Sequence, residues 1–250
     1  MASFKNRLII GKQPLFEAVA AGTTIDKIFL QKNVNADTSA QVRQLCKEKQ
    51  IPMQFVPVEK LNSFTRANHQ GVVAFAALVS YVAVQQVVDF VVGNGETPLF
   101  LMLDGVTDVR NIGAIARSAL CCGAQAIIIP DKGVGALNEE AMKSSAGALE
   151  HIHICRVSSL MKAIDDLHLN GIKVFASEMK ATKKLMNIDF VEPCCVVMGG
   201  EEHGVYPAVM KICDEQFNIP MIGKFESLNV SVASGMILYE AMKQRHFPSL

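Results

Sequence analysis

The sequence predicts an α/β protein of two modules, a small N-terminal one and a larger C-terminal one built on a parallel sheet. Three observations lead there. Strand-like apolar runs alternate with amphipathic helical stretches along nearly the whole chain, the pattern of a sheet covered by helices. In the C-terminal part the runs "LFLML", "QAIIIP" and "CCVVMGG" are continuously apolar, as in parallel strands buried on both faces. Charge also divides the chain: through Ser80 ten Lys and Arg stand against five Asp and Glu, and from Tyr81 onward fourteen stand against nineteen. A +5 segment thus precedes a −5 one in a chain of zero net charge, and the first is the one suited to face a polyanion.

The first module is expected over residues 1–79. "LIIGKQPLFEAVAAG" reads as a short strand and a helix closed by Gly22, and "IDKIFLQ" as a strand. "ADTSAQVRQLCKEKQ" is a helix with a good N-cap before it, "IPMQFVP" a strand, "VEKLNSFT" a short helix and "HQGVVAFAAL" a strand. Residues 80–97 read as a linker holding a short helix and a Gly/Asn turn. The second module, 98–250, opens with the strand Leu99–Leu103, followed by the helix "IGAIARSALCCG" and the strand "QAIIIP". After the loop "DKGVGALN" come the helix "EEAMKSSAGALE", strand "IHICR", helix "SLMKAIDDLHLNG" and strands "KVFASE" and "CCVVMGG". The helix "AVMKICD", the strand "QFNIPM" and a helix from "MILYEAMKQR" complete it.

Half the residues are hydrophobic and 19% are charged, a globular composition with no apolar run long enough to span a bilayer. "MASFKNRLIIGKQ" lacks the apolar centre and cleavage site of a signal peptide, which points to the cytoplasm. The seven Cys include two adjacent pairs, Cys121–Cys122 and Cys194–Cys195, in apolar surroundings. No C-x-x-C or H-E-x-x-H spacing occurs, so the expectation is small core residues and no metal.

Ligands of open parallel sheets sit beyond the carboxyl ends of the strands, and three loops there carry unusual chemistry. In "LDGVTDVRNIGAIARSA", Gly113 and Arg117 share a helical face. Side chains lean toward the helix N-terminus, so Arg117 can reach back over Gly113 toward Asn111, which could itself be the helix cap. In "VVMGGEEHGVYP", Gly199, Gly200 and Gly204 allow backbone near a ligand or at positive φ, and Glu201 follows a buried strand directly. In "FESLNVSVASGM", Ser227, Asn229 and Ser231 alternate with Leu228, Val230 and Val232 immediately before a helix. One cap needs one such residue, and no Glu or Gln follows at the capping-box position. Neither G-x-G-x-x-G after the first strand of this module nor a Walker loop is present, which disfavours NAD and ATP.

These three segments, N-x-G-x-x-x-R, G-x-E-x-x-G and I-P-M…S-L-N-V-S-x-A in that order, resemble the motifs of the SpoU (TrmH-like) RNA ribose 2′-O-methyltransferases of the SPOUT class. The layout is most similar to the enzymes acting on guanosine of 23S ribosomal RNA, and "IIGKQPLFEAV" and "HQGVVAF" resemble the family's RNA-binding domain. The resemblance implies a C-terminal trefoil knot, S-adenosylmethionine as cofactor, no metal, and a homodimer in which the arginine of one subunit faces the cofactor of the other. It assigns Asn111, Arg117, Glu201, Ser227 and Asn229 to catalysis and Gly199, Gly200, Ile219, Met221, Leu228 and Ser231 to the cofactor. Lys5, Arg7, Lys12 and Arg66, with Lys47, are the expected RNA phosphate contacts. Ribosomal RNA is the expected substrate, transfer RNA the runner-up, and a catalytically silent RNA-binding assembly factor the alternative from another class. Glu202 departs from the family's usual glycine, and His203 beside it is expected on the loop surface. A guanidinium has a pKa above 12, and neutralising it near pH 7 costs about 7 kcal/mol, so the expected role of Arg117 is electrostatic stabilisation rather than proton abstraction.

Overall fold

The computed structural model describes residues 7–134, 137–223 and 227–248. The chain divides into two compact units, 1–79 and 80–250. In the first, strands β1 (Leu8–Ile10), β2 (Ile25–Gln31), β3 (Met53–Val56) and β4 (Val72–Ala76) form a sheet in the order β1-β4-β2-β3. Only the β2–β3 pair is parallel. Helices α1 (Lys12–Ala20) and α2 (Ala36–Lys49) bury Leu15, Val42 and Leu45 against Ile28, Leu30, Val72 and Ala74 on one sheet face. The other face packs on α3 (Val58–Phe64), where the rings of Phe29, Phe64 and Phe75 lie 4.9–5.9 Å apart. In the "HQG" turn that leads into β4, His69 and Gly71 are buried and Gln70 is exposed. His69 Nδ1 accepts from Gly71 N at 3.0 Å, which leaves Nε2–H to donate to Asn62 Oδ1 at 3.0 Å. Gly71 has φ +80°, and an added Cβ would stand 2.7 Å from Val34 Cγ2.

The second unit begins with α4 (Val84–Gly93), within the stretch expected as a linker; Val87, Val88 and Val91 of this helix are part of the unit's core. Seven strands follow: β5 (Leu99–Asp104), β6 (Ala126–Pro130), β7 (His153–Val157), β8 (Lys173–Ser177), β9 (Lys183–Lys184), β10 (Cys194–Gly199) and β11 (Glu215–Asn218). Their order is β7-β6-β5-β10-β8-β11-β9 and every pair is parallel. The α/β class, the small N-terminal domain and the buried parallel sheet are thus as expected. Successive strands run outward from β5 to β7, then resume on the far side of β5, so β5 and β10 flank the switch point where such sheets open a crevice. Helices α5 (Val109–Cys121), α6 (Glu139–Ser145), α7 (Leu160–Leu169), α8 (Pro207–Met210) and α9 (Val230–His246) complete the unit. Near its C-terminus α9 is clasped to the strand starts: Arg245 donates through Nε to Phe190 O (2.6 Å), Nη1 to Thr97 O (2.7 Å) and Nη2 to Pro98 O and Glu192 O (both 2.9 Å).

Four expected elements differ, and of these the helix "AVMKICD" is cut to a single turn, ending at Met210. The helix over 139–150 breaks at Ala146 (φ 49°) and Gly147 (φ 90°), whose left-handed backbone ends α6 and leaves a single 3₁₀ turn, Ala148–Glu150. The strand "QFNIPM" stops at Asn218, because Pro220 has no N–H to offer a ladder. The period-two stretch before the last helix is not extended throughout: α9 already starts at Val230, so Ser231 is helical. Of the seven thiols, Cys46, Cys155, Cys194 and Cys195 are buried, and burial pushes Cys155 up to about 12 and Cys194 to about 11. Such thiols are packing groups rather than nucleophiles.

Candidate active site

Gly199 at the end of β10 lies in register with Asp104 at the end of β5, so the loops that follow these strands start side by side. The loop after β10 folds back on itself. Gly204, at φ +65°, donates its N–H to Gly200 O (3.0 Å), Gly200 N donates to Asp104 O (2.8 Å), and Tyr206 N donates to Asp104 Oδ2 (2.8 Å). An added Cβ at Gly199 would lie 2.1 Å from Gly204 C, and one at Gly200 would lie 2.2 Å from Gly105 O. These two glycines are therefore required by backbone meeting backbone, not by the approach of a ligand alone. Asp104 is 4% exposed; burial raises its pKa, and the Tyr206 N–H opposes that rise.

On this hairpin Glu201 meets the other two segments. Asn111 Nδ2 donates to Glu201 Oε1 at 3.2 Å, Asn229 Nδ2 donates to the same oxygen at 2.9 Å and to Asn111 Oδ1 at 3.2 Å. The orientation of Asn229 is set by its second task. It is the N-cap of α9, and its Oδ1 accepts from Ser231 N (2.9 Å) and from Ser231 Oγ (2.6 Å), so its NH₂ must face the carboxylate. Asn111 is not a cap; Asp108 caps α5 by accepting from Arg110 N (2.9 Å), and the Arg110 guanidinium beside it holds its carboxyl below the usual range.

Two cavities share the Glu201 hairpin as a wall. The first, about 360 Å³, has an apolar wall that includes Met198, Ile219, Leu228, Val230 and Ala233. Of the residues expected at the cofactor, Gly199, Gly200, Ile219, Met221 and Leu228 line it, and so does Ser227. Ser231 does not: its hydroxyl is spent on the cap. The second cavity, about 480 Å³, is bounded by Asp104–Asp108, Asn111, Lys132 and Tyr206. Arg117 stands outside both lining sets, exposed on α5, and its side chain is hydrogen-bonded to no other described residue. The expected path over Gly113 is closed, because a Cβ there would come 2.0 Å from Ser144 Oγ and 2.4 Å from Ala141 O of α6. Gly113 serves the α5–α6 crossing. Glu202 and His203 are both exposed, 3.8 Å apart.

Sequence reasoning missed Ser177, Glu178, Met179 and Lys180, which line the first cavity from the end of β8, and Asp104 and Tyr206, which anchor the hairpin. For all but Tyr206 the signal was positional: each of the others follows or ends an apolar run predicted to be a parallel strand. In the first unit, Arg66 and Lys47 are exposed as expected, and Lys12 pairs with Asp37 at 3.4 Å. Arg7 is a correction: it is buried, its Nε donating to Ala76 O at 2.8 Å, and it offers no surface charge to a phosphate. Lys5 lies outside the described residues. Among those residues no group of three or more His, Cys, Asp or Glu could hold a metal ion, and no helix is long and apolar enough to cross a membrane.

Residues 98–239 match the SpoU rRNA methylase family. The chain belongs to that family. Residues 8–82 match the RNA 2′-O ribose methyltransferase substrate-binding domain that accompanies SpoU enzymes. YacO of Bacillus subtilis (strain 168), of the TrmH family of tRNA/rRNA methyltransferases, is 34% identical over 95% of this chain and 96% of its own. A TrmH family relative from Staphylococcus haemolyticus (strain JCSC1435) is 33% identical over 96% of each chain. Among solved structures, the SpoU methyltransferase AviRb from Streptomyces viridochromogenes, crystallised with AdoMet, shares the fold. Its TM-score is 0.61 at 23% identity, covering 95% of this chain and 89% of AviRb. The A. aeolicus TrmH/SpoU tRNA modifying enzyme is 28% identical with a TM-score of 0.56, over 62% of this chain and 78% of its own. As a SpoU family member the chain is an RNA methyltransferase.

Proposed function

We propose that the chain transfers a methyl group from S-adenosylmethionine to a ribose 2′-hydroxyl of RNA, with ribosomal RNA as the favoured substrate. The observation that carries this reading is the triangle Asn111–Glu201–Asn229, built from three separated segments at the wall between two cavities. The first cavity suits the cofactor. Its volume is within the range of small-molecule sites, its wall is apolar enough for an adenine, and Glu178, Glu201 and Glu202 line it, with Lys180 as the lysine among them. That donor set favours a cation over a pyrophosphate. Bound there, S-adenosylmethionine would supply a methyl group on positively charged sulfur. The protein's part is then placement. Two amides hold the Glu201 carboxylate in one orientation, Leu228 and Ile219 exclude water, and Ser227 offers a hydroxyl at the cavity.

Arg117 would complete the site from a second copy of the chain, as a cation for the substrate phosphate and the oxygen that gains charge. Two features support this. Arg117 has no partner among the described residues of its own chain, and α9, which packs on α5, leaves Val232, Met236 and Tyr239 each about half exposed on one face. An apolar stripe of that kind suits an isologous contact. Arg66 and Lys47 would contribute phosphate contacts, which weaken with added salt, and the cytoplasm is the expected compartment. Radiolabelled methyl transfer to total RNA from a strain lacking the protein, followed by mapping of the modified ribose, tests the reading. Label on a base, or none with S-adenosylmethionine bound, would refute it. Transfer RNA is the second reading, favoured by the likeness to the A. aeolicus tRNA modifying enzyme.

A further inference from the structure

We propose that Asp104 is the positioning residue of the site: it latches both ends of the hairpin that carries Glu201, and so sets where the Glu201 carboxylate stands. The inference rests on the reading of Glu201 given above. β5 is otherwise an apolar strand, with Leu99, Phe100, Leu101, Met102 and Leu103 almost wholly buried, and a leucine at its last position would continue that pattern. A carboxylate stands there instead, 4% exposed, and burial of that group is costly unless it is hydrogen-bonded. The residue's bonds go to one hairpin, one from its main chain and one from the carboxylate. The main-chain oxygen of Asp104 takes Gly200 N–H just before Glu201, and its Oδ2 takes Tyr206 N–H just after the hairpin, both at 2.8 Å. Between them Gly204 N–H closes on Gly200 O at 3.0 Å. One residue therefore holds both feet of a loop that has no hydrogen bond of its own beyond that closure among the described residues. The loop that Asp104 opens leads within four residues to Asp108, the N-cap of α5, the helix that carries Asn111 in its first turn. Loss of the latch would let Glu201 drift from the two amides and widen the wall between the cavities.

The test uses the full-length protein, S-adenosylmethionine binding by calorimetry and steady-state RNA methylation. Asp104→Asn keeps an acceptor oxygen at the same reach, and both readouts should stay within about threefold of the parent, whereas Asp104→Ala should lower turnover about ten- to hundredfold and weaken cofactor binding. Tyr206→Pro deletes only the donated N–H on the backbone side, since Tyr206 has φ −60° and ψ 139°, angles a proline accepts. Compared with Tyr206→Ala, it should reproduce the Asp104→Ala loss. Parent-like behaviour of Asp104→Ala, equal damage in Asp104→Asn, or no difference between the two Tyr206 variants would overturn the latch. If Asp104→Ala does not fold, the Tyr206 pair decides. If the parent protein binds no S-adenosylmethionine, the reading of the site fails instead. The latch is then judged by amide exchange of residues 201–206, which must quicken in Asp104→Ala and not in Asp104→Asn.

Discussion

Replacing Asn229 with Asp separates the two tasks of that residue. The cap of α9 survives, because Asp caps helices as well as Asn. The NH₂ group does not: a second carboxylate now stands where Nδ2 lay, 2.9 Å from Glu201 Oε1. Two unit charges about 3 Å apart repel by about 1.4 kcal/mol even at the dielectric constant of water. With a lost hydrogen bond of about 1 kcal/mol, the variant should be destabilised by about 2.5 kcal/mol, or about 5–10 °C in Tm at about pH 8 and low salt. The sign with pH follows from the pair. Repulsion between the two carboxylates raises the folded pKa of the introduced aspartate above its unfolded value, so the deficit is full above that folded pKa. It shrinks as pH falls through it, since the protonated acid can again donate to Glu201. Calorimetric melting of both proteins between about pH 4.5 and pH 8 measures this. Asn229→Ala, which also loses the cap, should show a deficit that does not shrink. A variant Asn229→Asp whose deficit is independent of pH, or which methylates RNA at the parent rate, would refute the placement of Asn229 against Glu201.

Other consequences can be measured as directly. If one subunit's arginine serves the other's site, an equimolar, randomly re-associated mixture of Arg117→Ala and Asn229→Ala, each inactive alone, should regain about a quarter of parental activity, because half the pairs are mixed and each of those has one intact site; none is regained if each site is self-contained. Gly113→Ala forces a Cβ to 2.0 Å from Ser144 Oγ and 2.4 Å from Ala141 O, and should cost about 1–3 kcal/mol by thermal melting. Arg245→Leu leaves the carbonyls of Phe190 and Glu192 without a donor, while Pro98 O keeps Cys194 N–H and Thr97 O keeps Gln125 Nε2, and should lower stability by about 2 kcal/mol or more. In a thiol-labelling time course, exposed Cys121 should react at once, whereas Cys155 and Cys194, buried and with raised pKa values, should react only on unfolding.

The sheet was legible because burial on both faces leaves a local mark: "LFLML", "AIII" and "CCVVM" need no partner in view to read as inner strands. Residues at the site were legible as polar groups at the ends of such runs, and Asn111, Glu201 and Asn229 do converge. What each does was not, because roles depend on neighbours distant in sequence. Gly113 looked like clearance for Arg117 and is clearance for α6, a helix some thirty residues on. Arg7 looked like a surface charge until β4 supplied the carbonyl of Ala76, 69 positions away, and buried it. The Ser227–Asn229–Ser231 triplet misled in the other direction. Its alternation suggested an extended segment, yet a cap residue also has extended dihedrals, and Asn229 at φ −55°, ψ 138° is both the last non-helical residue and the first contact of the site. One amide thus starts a helix with its oxygen and orients a carboxylate with its nitrogen. That economy couples the stability of α9 to the geometry of Glu201, and it is why capping alone under-explained the motif.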